Sequence, residues 1–238
     1  MAVFPIDLHL KYDMMNKKAW SFRSCLFTNP RRRSSPVADR IKNIRKGQKV
    51  EYLDIVDNQG RPTGKIISRE EAHKDGVRHR TAHLWIVRKN SDVWQILMQK
   101  RSMEKESFPG FYDTSSAGHI PAGVEPVPSA LRELQEELGI EASPSQLQYA
   151  GMFLNQYEMP FHGKLFRDNE VTFLYVYHSD EPVRIEELKL QEEEVDEVRW
   201  FDLEEVREEI KTSRKRFCVP TEGLEILRNY LKGADETC

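Results

Sequence analysis

The stretch that most restricts how this chain folds runs from Gly118 to Ile140, with the sequence GHIPAGVEPVPSALRELQEELGI. Pro126 and Pro128 fit only the first turn of a helix, where a backbone N–H has no helical partner. The following residues favour a helix up to Leu138, and Gly139 is typical of the residue that ends one. The sequence therefore predicts a glycine-rich loop that leads directly into a short helix.

Three glutamates of this helix predict a metal site. Glu133, Glu136 and Glu137 share one face, because a helix has about 3.6 residues per turn. Carboxylates so close together repel one another unless a cation neutralises them, and hard oxygen ligands suit Mg²⁺ or Mn²⁺. The alternative is an acidic helix that simply faces solvent, and three glutamates alone do not exclude it.

Composition predicts a single sizeable domain with no membrane span. The chain has 238 residues, of which 39% are hydrophobic and 32% are charged. No run approaches the roughly 18 apolar residues that a membrane-spanning helix needs. The three cysteines are an odd number without metal-like spacing, which indicates a reducing compartment and no disulfide framework. We therefore expect a cytoplasmic protein.

Charge divides the chain into two parts, residues 1–48 and residues 49–238. Residues 1–48 carry a balance of +8, which leaves −11 for the rest of a chain whose net charge is −3. We predict a basic, disordered N-terminal extension. A transit peptide for import into an organelle and an upstream extension before the true start are the alternatives. The acidic domain argues against a nucleic-acid surface, and its carboxylates need a metal to accept an anionic substrate.

Alternating and helical patterns predict mixed strands with helices on both faces, which is an α/β fold. The predicted strands cover residues 51–57, 65–67, 83–87, 94–99, 149–157, 170–178 and 198–201. A short helix follows Ser68, with Glu71 in the capping-box position. Further helices are expected at 203–211 and 223–232, and a loop at 160–169.

The glycine-rich loop and its helix resemble the Nudix box, G-x5-E-x7-R-E-U-x-E-E-x-G-U, where U is aliphatic. Eight residues match in register: Gly118, Arg132, Glu133, Leu134, Glu136, Glu137, Gly139 and Ile140. The first glutamate of the pattern falls on Val124 instead, with Glu125 one residue late. The resemblance implies the Nudix-type α/β/α sandwich with a mixed β-sheet. Dimers are common in this family, so a homodimer is left open.

The resemblance also implies a reaction, the metal-dependent cleavage of a small-molecule diphosphate by attack of water on phosphorus. Glu133, Glu136 and Glu137 would hold the metal, and Arg132 would orient a glutamate. Either Glu137 or Glu170 would accept the proton. No nucleic acid or membrane is expected as a partner. The substrate is either a nucleoside-diphosphate derivative or an isoprenoid diphosphate.

A longer segment, roughly from Glu51 to Leu203, is similar to the type I isopentenyl diphosphate isomerases, a branch related to the Nudix hydrolases. Those isomerases place a cysteine directly before the Gly-His of the loop, where this chain has Ala117, and alanine cannot move a proton. They also hold a second metal with three histidines and two acids. The residues at similar places here are His73, His79, His119, Asp168 and Glu170, with one spacing different at His73.

Several residues near the box are candidates for binding the substrate. Gly118 belongs to the loop itself. Arg101 and Lys105 precede the loop, and they are expected either to bind a phosphate or to be ordinary surface cations. Phe108, Phe111 and Tyr112 flank an apolar or aromatic group of the substrate, or else belong to the core. Two alternatives to hydrolysis stay open, isomerisation of isopentenyl diphosphate and a degenerate binding module without turnover.

Overall fold

The computed structural model describes residues 50–179, 181–213 and 215–236, so the predicted extension over residues 1–48 lies outside the described residues. The strands are β1 (Tyr52–Val56), β2 (Pro62–Ser68), β3 (His79–Asn90), β4 (Val93–Arg101), β5 (Tyr112–Asp113), β6 (Ser116–His119), β7 (Leu147–Phe161), β8 (Lys164–Tyr177) and β9 (Val195–Asp202). The helices are α1 (Arg69–Asp75), α2 (Pro126–Leu138), α3 (Leu203–Thr212) and α4 (Thr221–Glu236). Among these helices none is both long and apolar enough to cross a membrane.

Strand β3 is the centre of a seven-stranded mixed sheet. The strand order is β5-β4-β3-β8-β7, with β6 also paired to β3 and β9 to β4. Strand β3 runs parallel to β8 and antiparallel to β4 and β6. Strands β1 and β2 form a separate antiparallel pair.

Helices cover both faces of the sheet, which confirms the predicted α/β fold. Successive side chains of a strand point to opposite faces. On one face, Leu84 of β3 lies in a buried cluster with Leu134 and Leu138 of α2. On the opposite face, Trp85 lies in a second cluster that includes Val206 of α3 and Leu227 of α4. The result is a three-layered helix–sheet–helix arrangement.

The two helices near the site begin and end where local sequence signals predict. Helix α1 follows Ser68, whose Oγ accepts the Glu71 backbone N–H at 3.3 Å and donates to the Glu71 carboxylate at 2.7 Å. Helix α2 begins at Pro126 and ends before Gly139, whose φ of 71° lies in the left-handed region. Glycine adopts this conformation without a Cβ penalty, so it suits a helix end.

The prediction of a loop at residues 160–169 is wrong, because β7 and β8 continue as a long antiparallel hairpin. Its two-residue turn is His162-Gly163, with φ values of 50° and 76°. Two consecutive positive φ angles are the signature of the tight turns that match strand twist. Pro160 indicates a loop, but β7 is the end strand of the sheet order, where proline is tolerated. The hairpin therefore includes Asp168, which pairs with Tyr157 of β7.

A buried ion pair fixes the loop that precedes α2. Arg80 of β3 donates from Nη2 to Asp54 Oδ2 and to the Val124 carbonyl, both at 2.9 Å. Asp54 Oδ2 also accepts the Gly123 backbone N–H at 2.9 Å. Arg80 is 4% exposed, so water does not compete for these contacts. The start of α2 is therefore tied to both β1 and β3.

Replacement of Leu134 by alanine should destabilise the protein by about 2–5 kcal/mol, because its fully buried side chain anchors α2 on the sheet. Urea denaturation measures this change in the free energy of unfolding. The control is Gln135→Ala on the exposed side of the same helix, expected to change it by less than about 0.5 kcal/mol. Equal stabilities for the two variants would contradict the assignment of Leu134 to the core.

Candidate functional site

Strand β6 connects two groups of acidic and imidazole side chains through three consecutive residues. The Ala117 backbone N–H donates to Glu137 Oε2 at 3.1 Å. Gly118 lies directly against Glu133, since a Cβ at this position would be 2.1 Å from Glu133 Oε1. His119 belongs to the other group, with its Nε2 3.0 Å from His73 Nε2. Glycine is required at 118 because any side chain would displace the Glu133 carboxylate.

The two inner glutamates of α2 are held out of water. Glu137 is 3% exposed, and its Oε2 also lies 3.5 Å from the Gln99 amide nitrogen. Burial raises the pKa of Glu137 to about 8 and that of Glu133 to about 7. A buried carboxylate is unfavourable, so Glu137 either holds a proton or requires a cation, and Arg132 compensates the charge of Glu133 only in part. This pair therefore fits a divalent ion.

Arg132 and Glu136 form the outer part of the same cluster. The Arg132 guanidinium contacts the Glu133 carboxylate and donates to Glu136 Oε2 at 2.8 Å. Its Nη2 also donates to the His119 carbonyl at 3.3 Å. The Glu136 side chain is 52% exposed and faces solvent. This geometry is compatible with the predicted role of Arg132 in orienting a glutamate, and that role stays a prediction.

The second group, which we call the histidine–carboxylate cluster, contains His73, His79, His119, Asp168 and Glu170. The ligand atoms of the three histidines lie within 4.8 Å of one another, as do those of His79, Asp168 and Glu170. His79 Nε2 is 4.0 Å from Asp168 Oδ1 and 3.8 Å from Glu170 Oε1. His73, the histidine with the divergent spacing, lies inside the cluster.

Unpaired polar atoms in this cluster fit a bound cation. Among the described residues, His73 Nδ1, His79 Nε2 and Asp168 Oδ1 are buried without a hydrogen-bond partner. Buried polar atoms in folded proteins are nearly always satisfied, so three orphans converging on one point require an explanation. Imidazole nitrogens with carboxylate oxygens are a donor set that transition-metal ions accept. A divalent ion would satisfy all three atoms together.

The pKa shifts favour the neutral form of His73 and His119 and the charged form of Glu170. Burial lowers the pKa of His73 to about 4 and that of His119 well below its ordinary value. Burial alone would raise the pKa of Glu170, but the adjacent His79 side chain holds it below the usual range. Burial and the neighbouring Glu170 charge raise the pKa of Asp168. Neutral imidazoles keep the lone pairs that metal coordination requires.

The predicted phosphate-binding cations already have internal partners. Arg101 donates to the Ser107 carbonyl and to Asp113 Oδ2, both at 3.0 Å, and Lys105 contacts the Glu194 carboxylate. These contacts fix the segment that leads to the site. Contact of either cation with a phosphate stays a prediction.

The aromatic candidates separate into core and site. Tyr112 is 8% exposed and packs between Phe201 and Phe217, which corresponds to the core interpretation. Phe108 and Phe111 are half-buried and 5.7 Å apart between ring centroids. They belong to an aromatic cluster that also contains Tyr157, Phe161 and Phe166.

Sequence reasoning misses several residues that the hairpin brings to the site. Phe166 stacks on the His73 ring with a centroid distance of 4.3 Å. Asn155 donates from Nδ2 to Glu170 Oε2 at 3.2 Å. Strand periodicity would have placed Phe166 on the face of Asp168 and Glu170, had the segment been recognised as a strand.

Comparisons with known proteins agree on one family. A profile of the NUDIX domain matches residues 77–218. Nudix hydrolase 3 of Arabidopsis thaliana is 39% identical over 157 residues, which make up 66% of this chain but 20% of that protein. An uncharacterized Nudix hydrolase of Clostridium acetobutylicum is 38% identical over 145 residues, 61% of this chain and 66% of that protein. This chain thus spans only a fifth of the length of the plant relative.

A solved structure shares the fold. The crystal structure of DR0079 from Deinococcus radiodurans superposes with a TM-score of 0.53 at 18% sequence identity. The alignment covers 75% of this chain and 98% of that one. At this identity the likeness concerns the fold alone.

The metal-free protein should lose stability as the pH rises from about 6.5 to about 8. Glu133 and Glu137 have folded-state pKa values raised above the ordinary 4.5. In this window the folded state keeps protons that the unfolded chain has released, so the stabilisation present at low pH disappears as the folded pKa is passed. The loss that the two glutamates contribute is about 2 kcal/mol. Histidines with a lowered folded pKa, such as His73 and His119, are still half protonated in the unfolded chain at pH 6.5, so they offset part of this loss and leave a net decrease of about 1 kcal/mol.

Urea denaturation in EDTA at the two pH values measures this loss. The variant Glu137→Gln has no proton to release at this position, so its stability should change less with pH than that of the unmodified protein. A stability that rises with pH over this interval would contradict the assignment of protonated, buried carboxyls.

Proposed function

Because this chain belongs to the Nudix family, we propose that it is a divalent-metal-dependent hydrolase that cleaves a small-molecule diphosphate by attack of water on phosphorus. Nudix hydrolases generally require a divalent metal ion. The observation that most supports the proposal is the burial of Glu133 and Glu137 against β6. This burial raises the pKa of Glu133 to about 7 and that of Glu137 to about 8. Carboxylates in such a place are ready to exchange a proton for a cation.

The residues divide into two metal-holding groups. Glu133, Glu136 and Glu137 would hold Mg²⁺ or Mn²⁺, for which carboxylate oxygens are the preferred ligands. The histidine–carboxylate cluster, which includes His79, His119, Asp168 and Glu170, would hold a further divalent ion. When bound, such ions neutralise charge on the phosphates and acidify water.

The chain's own groups would orient the reaction. The Ala117 N–H and the Gln99 amide both face Glu137 Oε2, which fixes the direction of this carboxylate. Arg132 would keep Glu133 and Glu136 at a set separation through its two guanidinium contacts. The proton of the attacking water would pass to Glu137 or to Glu170, the two buried acids that we propose as the general base.

The substrate would carry an apolar or aromatic group beside its diphosphate. Phe108 and Phe111 are half-buried, and Phe166 of the same aromatic cluster stacks on a histidine of the histidine–carboxylate cluster. Such rings interact favourably with a nucleobase or with an isoprenoid chain. Isomerisation is less well supported, because Ala117 offers only its backbone N–H, which is already donated to Glu137.

Cleavage of ADP-ribose and NADH into two phosphomonoesters, and release of inorganic phosphate from isopentenyl diphosphate, each with Mg²⁺ or Mn²⁺, test this proposal. The variant Glu137→Gln should lower kcat at least about 100-fold on any substrate that is cleaved, because it removes a metal ligand or the base. Glu141→Gln is the matched control, since Glu141 is exposed just beyond α2. Glu170→Gln tests the second candidate base in the same assay.

Three outcomes would contradict the proposal. Full turnover by Glu137→Gln would exclude Glu137 as a metal ligand and as the general base. Conversion of isopentenyl diphosphate to its isomer without phosphate release would replace hydrolysis by isomerisation. Binding of a substrate with no product would instead indicate a degenerate binding module.

A further inference from the structure

One amide side chain of β8 joins the two halves of the histidine–carboxylate cluster. Asn169 stands between Asp168 and Glu170, and strand alternation directs its side chain away from theirs. Its Nδ2 donates to the Gly76 carbonyl at 2.9 Å, and its Oδ1 accepts from Arg78 Nε at 2.8 Å. Both of its partners belong to the three-residue link between α1 and β3.

This link controls the direction of two histidine rings. His73 lies in the last turn of α1, and His79 is the first residue of β3, so the link connects the two elements that carry these rings. The Nδ1–H of His79 donates to the Val77 carbonyl at 2.9 Å, which leaves Nε2 with its lone pair toward the cluster. A shift of the link would therefore move both rings.

The shape of the link depends on a left-handed residue. Gly76 ends α1 with a φ of 67°, and its backbone N–H and that of Val77 both bond to the Ala72 carbonyl. This tight end satisfies the backbone N–H groups but leaves the Gly76 carbonyl without a helical partner. The Asn169 amide supplies that partner, so the link and β8 are held at one separation.

We propose that Asn169 is a positioning residue of the histidine–carboxylate cluster, which fixes the His73/His79 pair relative to the Asp168/Glu170 pair. The inference rests on the proposed function, namely that this cluster holds a divalent ion. Asparagine suits the position because the site needs one donor and one acceptor on the same short side chain. Residues that support metal ligands in this way commonly affect affinity without contacting the ion.

The test is a cobalt(II) titration of the full chain in excess Mg²⁺, followed by the visible absorption of histidine-ligated cobalt. Asn169→Leu removes both hydrogen bonds at similar volume and should weaken cobalt binding about 10- to 100-fold. Asn169→Asp keeps the bond from Arg78 but cannot donate to Gly76, so it should fall between Asn169→Leu and the unmodified protein.

The matched control is Gln156→Ala, which removes an exposed amide directly opposite Asn169 on the paired strand β7. It should bind cobalt as the unmodified protein does. Thermal unfolding of each variant in EDTA separates positioning from stability, because a positioning role changes affinity and spectrum in protein that is still folded.

The outcomes distinguish the positioning role of Asn169 from the metal-binding role of the histidine–carboxylate cluster. An unmodified protein without the absorption of histidine-ligated cobalt would refute the metal-binding role of the cluster itself. A normal spectrum in the unmodified protein with equal affinity and spectrum in Asn169→Leu would overturn the positioning role alone. If Asn169→Leu does not fold, Asn169→Asp decides, and unchanged cobalt affinity in that variant overturns the inference.

Discussion

The arrangement of the site depends on placing carboxylates where their charge is unfavourable without a counter-ion. Glu137 lies almost wholly out of water, and Asp168 and Glu170 are buried side by side on β8. Desolvation disfavours the ionised form of each acid. A cation bound beside Glu137, or beside Asp168 and Glu170, would therefore be stabilised. The rest of the structure determines where these acids lie: α2 and β6 position Glu137, and β8 positions Asp168 and Glu170.

Much of the helical part of the fold is predictable because local chemistry decides it. Helix α1 begins after Ser68 and ends at Gly76, and α2 begins at Pro126 and ends at Gly139. These boundaries are set by helix capping and by the left-handed conformation of glycine, which depend only on neighbouring residues in the chain. The face of α2 that carries Glu133 and Glu137 follows from the same helical period. Here local signals and tertiary packing agree, which is the usual condition of a well-specified element.

The rest of the site depends on tertiary context that no local signal contains. Pro160 and the polar residues around Asn169 indicate a loop, yet the position of β7 as end strand makes a long hairpin compatible with proline. Arg101 looks like a free cation in sequence, but Asp113 and Ser107 occupy its guanidinium. His73 has an unexpected spacing, and only the tight end of α1 returns it to the neighbourhood of His119.

The parallel pairing of β3 with β8 has a consequence for how the polypeptide acquires its site during synthesis. His79 is aligned with Glu170, a partner that leaves the ribosome about ninety residues later. Pairings over such a distance form slowly, because a large loop must close before any contact compensates for the lost chain entropy. A nascent chain that ends before β8 has its imidazoles but not its acids. Occupation of that cluster would therefore report that β3 and β8 have paired.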